Sequence, residues 1–364
     1  MRQHIKERYE FIDLLKAIAI FFVIFYHFNN LTVNFFETQN TFSYFNYFFE
    51  SIFSTCVPIF FFVNGALLLN KDFNLKKHIS KLITIVVLTV AWGIITLLIL
   101  MPIKNEYMSL FEFAKSLVTW KQQWIDHLWF LQAMVVIYIF FPLIKKTYDN
   151  ECNNLYFFLI MAFLMTFGNV FLSNCANVLE FIIGKNYLSG NINFFDEFNA
   201  FRGIYGYSIV YFILGGLLFK YKEKFYKKKW VSITTSTIVI SMIILTLYSV
   251  LMSKSNGEIY DIVWYGYDTI PTLCMVIALF ILALRYKGNH KILKLINIVG
   301  ENSLGIYFIH RILGSLLIKY FKKLPYCHDI VSNLLFALCI LFTSLLSVLV
   351  LKKIPVVKKL FSIS

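Results

Sequence analysis

Long apolar runs alternate with short, lysine-rich polar segments from one end of the chain to the other. Runs long enough to cross the ~30 Å hydrocarbon core of a bilayer fall at 11–29, 46–69, 82–101, 126–144, 155–172, 204–219, 231–252, 268–284, 303–318 and 331–351. Each is expected to be helical, because an open strand in lipid leaves backbone groups unpaired. The pattern predicts an all-α integral membrane protein, a polytopic bundle of about ten transmembrane helices. No internal repeat and no low-complexity linker breaks it, so residues 1–364 are read as one membrane domain with only a short tail after the last span. The longest outer loop, 173–203, is polar and carries Asp196, Glu197 and Arg202.

The positions of Lys and Arg orient the bundle. Of the 34 basic residues, 23 fall in the N-terminal segment, in every second loop and in the tail. They include Arg2, Lys6 and Arg8, then Lys71, Lys76, Lys77 and Lys81, Lys145 and Lys146, the Lys220–Lys229 cluster, Arg285, Lys287, Lys291 and Lys294, and Lys352, Lys353, Lys358 and Lys359. The opposite side holds nine: Lys104, Lys115, Lys121, Lys185, Arg202, Lys254, Lys319, Lys322 and Lys323. Lys16 and Arg311 fall inside spans. The positive-inside rule then places both termini in the cytoplasm.

Composition agrees. Hydrophobic residues make up 59% of the chain, charged residues 15%, and mean hydropathy is +0.69. A soluble chain carries charge on about a quarter of its residues. The net charge of +14 could suggest nucleic acid, but its concentration on one side matches the anionic inner leaflet instead, and no nucleic-acid partner is expected. The first apolar run has no small-residue cleavage site after it and contains Asp13 and Lys16, so it reads as a retained helix. The six cysteines form no C-x-x-C pair and no metal-ligand spacing; they read as core filler, and no metal site is expected.

Ionisable side chains inside a span are costly and mark candidate sites. The first helix carries Asp13, Lys16 and His27. Lys16 and His27 are eleven residues apart, about 1100° of rotation or three full turns, so both project from one face about 16 Å apart along the axis. Asp13 can pair with Lys16 three residues on. A lone Lys16 can also simply snorkel to the interface, and a lone histidine can bridge helices. Further candidates are Asn64, Arg311, which must face a partner or a cavity, and His310, balanced between interhelical hydrogen bonding and catalysis. His127, beside Trp124 and Trp129, is read first as a neighbour of an interfacial aromatic belt. No P-loop, nucleophile elbow, HExxH or dinucleotide fingerprint is present.

Four stretches resemble the membrane-bound acyltransferase 3 family. Asp13-Leu-Leu-Lys16 through Tyr26-His27 is similar to its first helix, where an Arg stands eleven residues before the essential histidine. Val57-Pro58-Ile59-Phe60-Phe61-Phe62-Val63-Asn64-Gly65 resembles its Pro-x-Phe-Phe-x-x-Ser-Gly stretch. His127-Leu-Trp129-Phe130-Leu131 with Tyr138 and Pro142 resembles its Trp-Phe-Leu…Tyr…Pro helix. Gly300-Glu301-Asn302-Ser303-Leu304-Gly305-Ile306-Tyr307-Phe308-Ile309-His310 resembles its late Gly-x-x-Ser-x-Gly-Ile-Tyr-x-x-His element. Lys16 stands where the family has Arg, Asn64 where it has Ser, and the C-terminal hydrolase-like domain of some members is lacking.

The resemblance implies an integral-membrane O-acyltransferase, most often an acetyltransferase, in a bacterial cell membrane. Acyl-CoA, with acetyl-CoA first among donors, would act from the cytoplasmic side, and a hydroxyl of a glycan or other cell-envelope molecule would be the acceptor. His27 would be the general base, suited by an ordinary pKa near working pH. His310 would orient it or a reacting oxygen, and Tyr138 and Tyr307 would donate to the oxyanion. The CoA-binding set would be Lys16, Lys77 and Lys81, which meet the phosphates, with Asp13 pairing Lys16. The runner-up is a secondary transporter or exporter of a lipid-linked glycan, against which stands the lack of an internal repeat of hydropathy. A sensor or scaffold without turnover is the third reading.

Overall fold

The computed structural model describes residues 9–38, 41–120, 122–184, 203–286 and 290–362. Among them lie eight helices long and apolar enough to cross a membrane. They are α1 (Glu10–Phe28), α2 (Thr41–Leu69), α3 (Leu75–Lys104), a helix over Asp126–Asn150, one over Cys152–Ile183, and further ones over Lys229–Asn256, Ser303–Phe321 and Ile330–Leu351. Amphipathic α4 (Leu110–Thr119) follows α3. Then come α5 (Trp129–Asn150), entered through a tight turn at Asp126–Leu128, and α6 (Cys152–Ile183). The second half runs α7 (Ile204–Lys220), α8 (Lys229–Asn256), α9 (Ile270–Ala283), α10 (His290–Glu301), α11 (Ser303–Phe321) and α12 (Ile330–Leu351). Eight of the ten expected spans are helices of membrane-spanning length, the two expected at 204–219 and 268–284 are the shorter apolar helices α7 and α9, and the described residues contain no strand.

Two differences from the expected pattern have physical causes. Residues 173–183, expected in a loop, continue α6, and Leu179, Phe181, Ile182 and Ile183 stand exposed on it as lipid-facing apolar groups. The rest of that loop, with Lys185, Asp196, Glu197 and Arg202, lies outside the described residues, as do Arg2, Lys6, Arg8, Lys121 and Lys287. Second, α9 has only 14 residues, about 21 Å of helix at 1.5 Å per residue. The segment before it, irregular but for a 3-10 turn at Trp264–Gly266, lines a cavity through Asp261, Trp264 and Tyr267. Such backbone is tolerated at membrane depth where it lines a cavity or is covered by protein.

Central to the bundle is α1, packed by α2, α9, α10, α11 and α12. Small residues permit the closest crossings. A Cβ on Gly65 of α2 would collide with the carbonyl of Phe212 on α7, and one on Gly215 of α7 with the carbonyl of Phe62 on α2. Gly300 at the end of α10 lets the backbone of Asp13 approach; an added Cβ would lie 2.6 Å from its carbonyl oxygen.

Contacts collect the described basic segments at one end. Lys145 Nζ donates to the Leu69 carbonyl at 2.9 Å and to Asp149 at 2.6 Å. Arg285 donates to the Tyr226 carbonyl at 2.7 Å, Lys222 lies over the Tyr9 ring, and Lys352 donates to Asn302 at 2.6 Å. At the other end Tyr26 donates to Asp261 at 2.7 Å, and the Asn30 amide N–H to Asn333 Oδ1 at 2.6 Å. The two ends are therefore chemically distinct, one rich in lysine and one in histidine, aromatic and acidic groups.

Candidate active site

Helix α1 carries polar residues at two depths. Near its first turn, Asp13 is buried and its Oδ1 lies 3.7 Å from Lys16 Nζ. Lys16 lines a cavity of about 200 Å³ with Asn64 of α2, Met134 and Tyr138 of α5, and Glu301, Ser303 and Tyr307 of the α10–α11 junction. The Asn64 amide donates to the Phe60 carbonyl one turn back, at 2.8 Å.

Three turns further along α1, His27 lines a second cavity of about 690 Å³, with Tyr26, Asp126, His127, Trp129 and Asp261 among its walls. Phe130 and Tyr307 line both cavities. They form the wall between the chamber that Lys16 reaches and the chamber that His27 reaches.

His27 sits in a cluster that α11 completes. His310 is fully buried, with its ring centroid 5.6 Å from that of His27 and 5.7 Å from that of His127. Its Nδ1 lies 2.6 Å from the Tyr307 carbonyl, which can only accept, so Nδ1 carries the proton. Its Nε2 is buried without a hydrogen-bond partner among the described residues. Arg311, next in sequence, turns to the cavity side. Its Nη2 donates to the Gln123 carbonyl at 2.6 Å and to Asp126 Oδ1 at 2.9 Å, and its Nη1 lies 3.4 Å from His27 Nδ1. The arginine expected to need a partner has three, a carboxylate, a backbone carbonyl and a histidine.

His127 departs from the aromatic-belt reading. It is only 3% exposed, its ring lies 5.5 Å from that of Tyr307, and neither ring nitrogen has a partner among the described residues. The 3-10 turn at Asp126–Leu128 causes this, turning His127 inward while Asp126 reaches Arg311.

Other expected site residues lie elsewhere. Tyr138 is in the Lys16 cavity, its ring stacked on His78 at 5.0 Å, and does not join the His27 cluster. The Tyr307 hydroxyl donates to the His127 carbonyl; its one proton is thereby committed, which removes it as a donor to an oxyanion. Lys76 and Lys77 are exposed on the first turn of α3 and Lys81 is half-buried one turn on; none lines either cavity. Asp126, Asp261 and Trp264 join the site without having been candidates by sequence pattern. Only Asp126 carries a signal there, an acid beside His127 where Arg311 calls for a counter-charge. Cys56, read as filler, is buried on the wall of the outer cavity with Sγ 3.4 Å from the Tyr267 hydroxyl.

Helices of membrane-spanning length around a His–Arg–Asp cluster on a cavity wall, with two cavities meeting at one wall, define a polytopic membrane enzyme. The sequence model of a family described as an acyltransferase domain matches residues 9–353, nearly the whole chain. The chain belongs to that family, the acyltransferase 3 family, and is an acyltransferase. No curated protein and no solved structure matches it significantly.

Proposed function

We propose that the protein takes an acyl group, acetyl in the first instance, from acyl-CoA at its basic, cytoplasmic end. The acyl group passes to a hydroxyl of a glycan or other envelope acceptor at the opposite end, in a bacterial cell membrane. The observation that carries this reading is the pair of cavities sharing the Phe130–Tyr307 wall, with Lys16 on one side and His27 on the other. A donor and an acceptor entering from opposite faces meet at such a wall.

At the inner mouth Lys16 supplies a positive charge for CoA phosphate, and the exposed Lys76 and Lys77 add to the field that attracts an anionic donor. Lys16 is held in place by Asp13. In the outer chamber the guanidinium against His27 Nδ1 makes that nitrogen the acceptor of the pair, so the neutral ring bears its proton on Nε2. The 3.4 Å contact is the loosest that Arg311 makes. An acceptor hydroxyl displaces it, donating to Nδ1 in place of Nη1 while Asp126 and Gln123 retain the other arm.

His27 then takes the hydroxyl proton as the oxygen attacks the thioester carbonyl. A C–O bond forms, the C–S bond breaks, and the imidazolium returns its proton to the departing CoA thiolate. Asp126 offsets the positive charge that Arg311 and the imidazolium share during the step.

The test is transfer of labelled acetyl from acetyl-CoA to glycan by the native chain and by His27→Ala, reconstituted in liposomes. Label on the acceptor, lost at least about 100-fold in the variant as for removal of a general base, is the expected result. Equal labelling by the two proteins removes His27 from the mechanism. Failure of the native chain to cleave acetyl-CoA overturns the donor assignment.

A further inference from the structure

The outer cavity is walled by more aromatic surface than an acyl transfer requires. Three indoles line it, Trp120, Trp129 and Trp264, and so do two carboxylates, Asp126 and Asp261. Trp129 and Trp264 meet edge to face at 84° with centroids 5.4 Å apart. They form a corner, and Trp264 remains 40% exposed. The backbone that carries it is held by Asp261, whose Oδ1 accepts from the Val263 and Trp264 amides at 3.1 and 2.9 Å. Asp261 Oδ2 accepts from Tyr26, the residue beside His27.

Trp120 adds a second, independent sign. It caps α4 in the left-handed region at φ 53°, a conformation that penalises a side chain. Helices α6 and α8 end in the same conformation on Gly184 and Gly257, the residue type that adopts it freely. The ring packs over Gly93 of α3, and Trp120 is at the same time part of the cavity wall. A third sign is His127 on the same wall, nine-tenths buried and more, with both ring nitrogens unpartnered among the described residues. Buried polar atoms without partners are uncommon, and these can meet hydroxyl groups of a ligand.

We infer that this chamber is a sugar subsite, built for one uncharged pyranose ring of the acceptor. Binding itself stands apart from the acyl-transfer reading; only the use made of the bound sugar rests on it. Indole faces cover the apolar C–H face of a pyranose, while carboxylates, which only accept, select a ligand rich in O–H donors. The volume, about 690 Å³, is ample for a small-molecule site. Charge sets the selectivity. Asp126 is neutralised by Arg311, whereas Asp261 has no cationic partner among the described residues. A uronic acid or a phosphate-linked polyol brings its anion against that carboxylate and is disfavoured.

Binding is read by saturation-transfer NMR on the full chain in lipid nanodiscs, with no donor present. The probes are the methyl pyranosides of glucose, galactose, mannose and N-acetylglucosamine, methyl glucuronopyranoside, and glycerol 1-phosphate. At least one neutral pyranoside is expected to bind at least tenfold more tightly than either anion. Trp264→Ala is expected to weaken it tenfold or more, and Trp264→Phe to recover most of that loss. Anions binding as well as the neutral sugars, no pyranoside binding at all, or a folded Trp264→Ala that binds normally would each overturn the subsite. Should Trp264→Ala fail to fold, the neutral-against-anionic comparison on the native chain decides alone. Acetyl-CoA cleavage, followed separately, distinguishes the two proposals. Sugar binding without cleavage sinks the donor assignment, and cleavage without sugar binding sinks the subsite.

Discussion

Tyr307 concentrates several roles in one side chain. Its ring is part of the wall between the cavities, and its hydroxyl is tied to the backbone of His127. Tyr307→Phe keeps the wall and removes one neutral hydrogen bond, a loss of about 1 kcal/mol of stability. Transfer activity is expected to stay within about fivefold, since a group that donates elsewhere stabilises no oxyanion; loss of such a donor costs about 100- to 1000-fold. Initial rates with labelled acetyl-CoA separate these outcomes. Among single residues the sequence is only half legible. The rotation between Lys16 and His27 follows from helix geometry alone, and the fold puts each on a cavity wall. Arg311 declares its need for a partner, but Asp126 lies 185 positions away, and no local pattern connects them.

Between elements, the α2–α7 crossing depends on Gly65 and Gly215, because each faces a carbonyl of the other helix with no room for a methyl group. Gly65→Ala is expected to destabilise by about 3 kcal/mol or more, at the upper end of overpacking effects, since backbone rather than a pliable side chain must yield. The thermal midpoint in detergent measures it; an unchanged midpoint would refute the crossing. Helix α4 gives a pH-dependent case. Ser109 and Glu112 form a reciprocal capping box, and the hydrogen bonds from the Ser109 amide and hydroxyl hold the Glu112 carboxyl below its usual range. A depressed carboxyl stabilises above its unfolded pKa, about 4.3, and that contribution is lost as pH falls through its lower folded value. The cap on α4 should therefore weaken in acid. Because Trp120 ends this helix, its fluorescence is expected to shift below about pH 4, and Glu112→Gln should move that transition.

For the molecule as a whole, the lysine-rich end is predicted to face the cytoplasm. Single cysteines at the exposed positions Lys353 and Lys322 test it in a background where the exposed Cys175 and Cys339 are serine. A membrane-impermeant maleimide applied outside intact cells should label the second and spare the first. The reverse pattern inverts the bundle, and with it the assignment of donor and acceptor sides.

The class of protein and its span pattern are legible in the sequence alone. Burying about twenty apolar residues in lipid is a local requirement, visible wherever such a run occurs, and the Lys and Arg bias between spans is equally local. Family motifs locate α1, α2, α5 and α11 as the elements that matter. Which of their polar residues meet is a matter of tertiary packing. Packing brings His27, His127, His310, Arg311 and Asp126 to one end, leaves Tyr138 in the other cavity, and draws Asp261 and Trp264 in through the segment before the short α9. A span is selected by its own contact with lipid, whereas a site is made of side chains whose partners lie on other helices, at depths and rotations that no single helix specifies.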